Sequence, residues 1–273
     1  MTDITALHFL GYTFIQRAYL AGAFIAVLCA MLGLFLVLRK MSLIGDGLSH
    51  VSFGAIALGL FFGFYPFAVA IPVVLAGSYF IFRLTERARI YGDAAIGIVS
   101  SMGIASGIIL ASVSKGFNVD LFSYLFGNIL AISNQEVYLS LGLCLAVLLI
   151  ILVLYNDLFS VTFDEEFARL TGVSSKLINL MLTFLTAVTV VLAVKVVGIM
   201  LVSALLILPA VTALQLARGF TSAMLMAALD GIVSVLAGIT LSFFLDIPAG
   251  ATIVMINGAF FALALLYKKV RKG

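Results

Sequence analysis

Long apolar runs separated by short polar junctions make up most of this chain. A helix that crosses the roughly 30 Å hydrocarbon core of a membrane needs about 20 apolar residues. The runs of suitable length are Phe14–Leu38, Ser42–Phe62, Tyr65–Phe82, Ala94–Val113, Val137–Tyr155, Leu177–Val194, Gly198–Ala217, Thr221–Leu245 and Gly250–Tyr267. The pattern predicts an all-α, polytopic transmembrane helical bundle with nine spans, or eight if the first segment lies partly on the membrane surface.

The composition also indicates that lipid is the solvent for most of the chain. Of the 273 residues, 64% are hydrophobic and 10% are charged, whereas a soluble domain has about 45–50% apolar and about 25% charged residues. A soluble fold of this size leaves a large exposed shell and could not hide so much apolar surface. We therefore expect a single transmembrane domain over residues 1–273.

The basic residues lie at the ends of the apolar runs and predict an orientation. If the Arg39–Lys40 junction is cytoplasmic and the spans alternate, twelve of the fifteen basic residues fall on the cytoplasmic side. Only Arg17, Lys115 and Lys195 fall outside. This positive-inside bias predicts an external N-terminus and a cytoplasmic C-terminus. The net charge of +3 is not gathered in one patch, so we expect the lipid bilayer and no nucleic acid as a partner.

Two connections between the runs are longer than the others. Ser114–Gln135 is half apolar and external by the charge count, and it could form short re-entrant or surface helices if they pack on protein. Asn156–Lys176 is cytoplasmic by the same count. Within it, acidic residues suited to the first turn of a helix are followed by apolar residues and then by a glycine suited to its C-terminal cap, which predicts a short capped helix. These residues are Asp164, Glu165, Glu166, Phe167, Ala168, Arg169, Leu170 and Gly172. The sequence leaves open whether this helix is tucked against the bundle or docks a soluble partner.

Asp46 and His50 lie inside the second run, where an ionisable side chain is costly. Their i, i+4 spacing puts both side chains on one helix face, one turn apart. Counted from Lys40 at about 1.5 Å per residue, Asp46 lies roughly 9 Å and His50 roughly 15 Å into the membrane, near its midplane. Oxygen and nitrogen donors together suit zinc and manganese. The alternative interpretation is an Asp–His hydrogen bond that tethers two helices.

Two ligands are too few for tight metal binding, but a two-fold dimer would supply a site of two Asp and two His. Asp230, in the middle of the eighth run, either lines the path or pairs across helices, and pairing is the preferred prediction. Pro209 should kink or break the seventh span and could serve gating. The cysteines, Cys29 and Cys144, each lie in an apolar run and are expected to be buried, with no disulfide.

Several enzyme motifs are absent from the sequence. There is no G-x-x-x-x-G-K-[ST] phosphate loop, so this chain is not expected to hydrolyse ATP by that route. Neither the H-E-x-x-H nor the G-x-S-x-G motif occurs, which argues against the interpretation of this chain as an intramembrane protease or a lipase. These absences count against enzymes of those classes.

The stretch Leu38–His50 resembles the signature of the permeases of bacterial ABC importers for zinc and manganese. Gly198–Ala210, Phe163–Val173 and Asp246–Ala251 also match that family's pattern, so the resemblance covers nearly the whole chain. It implies a permease fold similar to that of the chelate and vitamin permeases, in the inner or cytoplasmic membrane of a bacterium. Zinc or manganese, or sometimes iron, would be the cargo, and no permanently bound cofactor is expected.

The resemblance further implies a transport subunit rather than an enzyme, with ATP hydrolysis on a separate subunit. It also implies a homodimer with the metal path along its interface. Two cytoplasmic ATPase subunits would dock on a coupling segment at about residues 157–176, and an extracellular or periplasmic metal-binding protein would dock outside. Asp46 and His50 would be the metal ligands. The stretch Leu121–Gly127 is closer to the zinc importers, so zinc is the predicted cargo and manganese or iron the alternative.

Two other functions remain as alternatives. A secondary transporter driven by an ion gradient usually shows inverted repeats and buried proton-relay carboxylates, and no clear repeat is present. A membrane enzyme built around a metal at Asp46 and His50 would need a third ligand and a general base, and neither is evident in the sequence.

Overall fold

The computed structural model describes residues 11–114, 124–125, 127 and 134–272, and these residues form helices and no strand. The helices with described bounds are α1 Thr13–Leu38, α2 Ile44–Phe61, α3 Pro66–Glu86, α4 Gly92–Val113, α5 Asn134–Val153, α6 Tyr155–Phe163, α7 Glu165–Leu170, α8 Ser175–Val197, α9 Val202–Leu216, α10 Phe220–Leu245 and α11 Ala249–Lys272. The predicted all-α bundle is confirmed. The predicted re-entrant connection over 114–135 lies almost wholly outside the described residues.

Eight of the described helices are long and apolar enough to cross a membrane. The short member of the predicted nine is α9, with 15 residues, or about 22 Å of helix. The prediction that the first segment could lie on the surface is wrong. Helix α1 has 26 residues, is buried along most of its length and packs on α5, α8, α9 and α10, so it forms the centre of the bundle.

Helix α9 is short because the chain leaves helical geometry at Gly198, where φ is +88°. Pro209 lies inside α9, and the helix continues through it. Of the predicted kink or break, the break is therefore wrong, and the chain is interrupted instead at Gly198, before α9 begins. The interrupted backbone is hydrogen-bonded to protein. The N–H groups of Ile199 and Met200 donate to the carbonyls of Tyr124 and Leu125 at 3.0 and 3.2 Å. Such pairing is what non-helical backbone requires at membrane depth.

Polar contacts sort the helix ends into two groups. Three links join ends that the alternating topology assigns to one side: Arg39–Glu165, Glu86–Lys176 and Gln215–Lys268. At the other side, the Tyr65 hydroxyl donates to Glu136 Oε1 at 2.7 Å. The contacts therefore group the helix ends in the same way as the charge pattern does. Cys29 and Cys144 are buried and unbonded to each other, as predicted.

Candidate functional site

Asp46 and His50 lie one turn apart on the same face of α2. His50 Nε2 is 3.7 Å from Asp46 Oδ2, and the two side chains are 23% and 48% exposed, respectively. This distance is longer than a hydrogen bond, so neither group saturates the other. Within the described part of the chain, neither side chain bonds to another helix, and the helix-tether interpretation therefore has no partner there. The pair presents a carboxylate oxygen and an imidazole nitrogen on a partly open surface.

The pair lies closer to the end of the helix than the sequence count predicts. Residues 40–43 form a turn, and α2 begins at Ile44. Asp46 is therefore in the first turn, where the positive end of the helix dipole stabilises a carboxylate. At about 1.5 Å per residue, His50 is about 9 Å along the axis from Ile44, not the 15 Å counted from Lys40. The position of His50 near the membrane midplane stays a prediction.

Glycines hold α4 against the backbone of α2 beside the pair. A Cβ added at Gly47 would lie 2.5 Å from Ile96 Cγ2 on α4. A Cβ at Gly103 on α4 would lie 2.7 Å from Val51 Cα and 2.9 Å from the carbonyl oxygen of His50. A Cβ at Gly103 would meet backbone atoms, so a side chain there would push α4 away, whereas one at Gly47 would require the Ile96 side chain to shift. Small-residue spacing in the sequence signals this kind of packing but does not identify which helix is the partner.

One copy of the chain supplies an incomplete coordination sphere. Among the residues that the structure describes, no group of three or more His, Cys, Asp or Glu side chains could hold a metal ion. Asp46 and His50 provide two donors and, with an ionised carboxylate, one negative charge. A divalent ion needs more ligands than these two, and the described residues of one copy do not add a third protein ligand beside them.

Helix α7 has the capped geometry that the sequence predicts. The N-cap Asp164 accepts a hydrogen bond from the N–H of Phe167 at 2.9 Å. At the other end, Gly172 has a φ of +88°, and the N–H of Val173 donates to Ala168 O at 2.9 Å. These bonds are the acidic N-cap and the glycine C-cap of a helix. Six residues, Glu165–Leu170, lie between the caps.

The two large apolar side chains of α7 point away from the bundle. Phe167 is 58% and Leu170 is 86% exposed, whereas Ala168 is buried. Glu165 and Arg169 are joined along the helix at 2.6 Å. A helix tucked against the bundle would cover its large apolar side chains and expose its alanine. The orientation of α7 is the reverse, which favours docking of a partner over the tucked alternative.

Arg39, at the end of α1, forms an ion pair with this helix, and the sequence analysis used it as an orientation signal and within the Leu38–His50 stretch without giving it a role of its own. Its guanidinium is 3.6 Å from Glu165 Oε2 and also donates to Asn179 Oδ1 on α8. Burial lowers the pKa of Arg39, while the Glu165 carboxylate acts in the opposite direction. The signal that could have revealed this role is a basic residue directly after a long apolar run and seven positions before Asp46.

Asp230 lies apart from Asp46 and His50. It lines a cavity of 750 Å³ between α9, α10 and α11, together with Arg218 and Arg271 at the basic end. Its Oδ2 atom is buried and has no hydrogen-bond partner within the described residues. The preferred prediction is that Asp230 pairs with a residue on another helix, and its Oδ2 atom makes no such pair among the described residues. Pro209 is buried within α9 and is likewise not part of the Asp46–His50 face.

Comparison with known proteins finds relatives over almost the whole chain. The sequence pattern of the ABC 3 transport family matches residues 11–268. The manganese transport system membrane protein MntC of Halalkalibacterium halodurans is 35% identical over 258 residues, which are 94% of this chain and 88% of MntC. The high-affinity zinc uptake system membrane protein ZnuB of Haemophilus influenzae is 32% identical over 253 residues, covering 92% of this chain and 97% of ZnuB.

Solved structures match the fold. PsaBC from Streptococcus pneumoniae, solved in complex with Fab, superposes with a TM-score of 0.85 at 32% identity and covers 94% of this chain and 93% of the matched chain. A metal-chelate type ABC transporter in an inward-facing conformation superposes with a TM-score of 0.73 at 19% identity, covering 98% and 91%. The second likeness concerns the fold alone, and it agrees with the predicted similarity to chelate permeases.

Proposed function

Because this chain belongs to the ABC 3 transport family, we propose that it is the permease of a bacterial ATP-driven importer and that Asp46 and His50 bind the divalent metal ion in transit. The observation that carries the proposal is the Asp46–His50 pair, which opens onto the surface of a helix with no other ionisable residue. A bare divalent ion in the bilayer interior faces a prohibitive desolvation cost. Fixed ligands must therefore replace part of its water, and they must also release it.

The site is completed by a second copy of the chain. Two copies related by a two-fold axis at the exposed face of α2 bring together two carboxylates and two imidazoles. This set gives four ligands, and the two carboxylates offset the +2 charge of the ion. The need for donors from outside the chain supports this arrangement, since the described residues of one copy hold no larger ligand group. Each copy is one permease domain over residues 1–273.

The other partners follow from the two sides of the bundle. Helix α7 and its exposed Phe167 and Leu170 dock a cytoplasmic ATPase subunit, which supplies the hydrolysis that this chain has no phosphate loop to perform. A metal-binding protein delivers the ion at the opposite, external face. The chain lies in the inner or cytoplasmic membrane with its C-terminus in the cytoplasm, as the distribution of basic residues favours.

The metal is cargo rather than a resident cofactor. A carboxylate and an imidazole suit both zinc and manganese, so donor type does not separate the two metals. The similar proteins carry names for manganese transport and for zinc uptake. Zinc remains the prediction, and it rests on Leu121–Gly127, most of which lies outside the described residues. Manganese or iron is the alternative.

Uptake in a reconstituted system tests the proposal. The permease is placed in vesicles with its ATPase and loaded binding protein, and zinc and manganese uptake are measured with and without ATP. We expect ATP-dependent uptake that is lost in His50→Ala. Uptake without ATP that collapses with an ionophore would instead identify the gradient-driven alternative. Near-normal uptake per folded His50→Ala permease would remove the metal assignment.

A further inference from the structure

Arg39 is a buried cation between the helix that docks the ATPase and the helix that carries the metal pair. Its side chain is only 10% exposed, and its two terminal nitrogens contact Glu165 on α7 and Asn179 on α8. A guanidinium stays charged in a protein, and a charge removed from water is tolerated only when it is paired. Because unpairing is costly, a movement of Glu165 is expected to draw Arg39 with it.

The connection from Arg39 to the metal pair is short and hydrogen-bonded. The N–H groups of Lys40 and Met41 donate back to carbonyls of α1 at 3.1 and 2.8 Å, which closes the helix as a Schellman motif. Ile44, the first residue of α2, donates to Met41 O at 3.1 Å. Asp46 follows two residues later. With these bonds in place, a displacement of Arg39 is passed to the first turn of α2 rather than absorbed by a slack loop.

On the other side of the ion pair, α7 is a small rigid unit. Its caps fix both ends, and Glu165, its first residue, is held along the helix by Arg169 at 2.6 Å. The exposed Phe167 and Leu170 form the face on which a partner pushes or pulls. A force on this face therefore moves the Glu165 carboxylate.

We propose that the Arg39–Glu165 ion pair transmits movement of α7 to the start of α2, which makes Arg39 a positioning residue for Asp46 and His50. This inference rests on the proposed function, because it assumes that an ATPase subunit binds α7. If the pair only stabilised the fold, its loss would lower the amount of active permease and nothing else. If the pair transmits movement, its loss lowers the number of metal ions moved per ATP hydrolysed.

The test uses the full importer in vesicles, with Arg39→Gln, Glu165→Gln and the double variant. Metal uptake and ATP hydrolysis are measured in the same vesicles. We expect ATP hydrolysis to continue while the number of ions moved per ATP falls about tenfold, which corresponds to about 1.4 kcal/mol of coupling free energy. The double variant should be no worse than the worse single variant, because both remove the same interaction. Glu165 is partly exposed, so its variant keeps the test valid if Arg39→Gln does not fold.

Glu86→Gln is the matched control. Its carboxylate lies 3.3 Å from Lys176 Nζ at the same end of the bundle, but it contacts neither α7 nor the turn before α2. We expect this control to keep the wild-type ratio of ions to ATP. A wild-type ratio in Glu165→Gln, or additive losses in the double variant, would overturn the transmission role. If the wild-type importer itself shows no ATP-dependent uptake, the proposed function is wrong. A wild type that transports and variants that keep its ratio of ions to ATP would contradict the transmission role alone. The two failures are therefore distinguishable.

Discussion

Gly103 packs so closely on α2 that a Cβ at this position would lie 2.9 Å from the carbonyl oxygen of His50. The helix that carries the metal pair is therefore positioned by backbone contact with α4, in addition to its own side chains. Backbone atoms cannot rotate away as the end of a flexible side chain can. The spacing between α2 and α4 thus depends on the absence of a single methyl group.

Replacing Gly103 with Ala should separate α4 from α2 and lower metal uptake per folded permease. The matched control is Gly142→Ala on α5, where an added Cβ meets nothing within 4 Å. In the control, helix propensity favours Ala by roughly 0.5–1 kcal/mol, so its thermal stability should be unchanged or higher. Thermal unfolding in detergent and uptake in vesicles check both variants. Equal behaviour of the two would contradict the close packing at Gly103.

His50→Ala and Asp46→Ala should each abolish uptake while leaving expression, dimer formation and ATPase docking largely intact. The first variant removes both imidazoles from the dimeric site, and the second removes the negative charges that offset the ion. Asp93→Asn is the control, because Asp93 also lies in the first turn of a helix and should keep its uptake. The measurement is uptake divided by the amount of folded permease. A fall in abundance with specific uptake preserved would support a purely structural role for the pair.

Gly172→Leu should uncouple ATP hydrolysis from uptake. At a φ of +88° the backbone of Gly172 is in a region that costs other residues roughly 1–2 kcal/mol, so the C-cap of α7 should distort. Gly63→Leu is the control, since Gly63 has a φ of +70° with open space around it and lies at the opposite end of the bundle. The ratio of uptake to hydrolysis should fall in the first variant and hold in the second. An unchanged ratio in Gly172→Leu would contradict the coupling role.

A photocrosslinker at Phe167 should reach the ATPase subunit in the assembled complex. The reason is the 58% exposure of this side chain on the face of α7 that points away from the bundle. The same crosslinker at Tyr65, which lies at the other end of the bundle, should not. Products are identified by mass spectrometry. A Phe167 product confined to the permease itself would restore the tucked-helix alternative.

Cysteines at Ala88 and Gly116 should differ in labelling by an impermeant thiol reagent on intact cells. The twelve-to-three distribution of basic residues assigns the Arg83–Arg89 junction to the cytoplasm and Lys115 to the outside. Gly116→Cys should therefore label and Ala88→Cys should label only after the membrane is opened. Arg218 and Asp246 give a second cytoplasmic and external pair. Equal labelling of both positions would rule out this topology.

The linear sequence was sufficient for the helical bundle, the spans and the small capped helix α7. Each of these depends on local rules: the length of an apolar run, the i, i+4 spacing of Asp46 and His50, and the acids and glycine that cap a helix. The differences arose where a helix boundary depends on tertiary contact. Helix α2 begins only at Ile44, after a turn, and the chain is interrupted at Gly198 while α9 continues through Pro209.

The sequence by itself determined the candidate ligands for a divalent ion, Asp46 and His50, and the candidate docking segment, because both depend on side-chain chemistry and local periodicity. Only the tertiary structure decided that α4 lies on the backbone of His50 and that Arg39 reaches Glu165, which is 126 positions away in the chain. Contacts between such distant residues depend on how all the helices pack, and no local pattern encodes them. The relation between the docking helix and the metal pair is therefore a property of the folded chain.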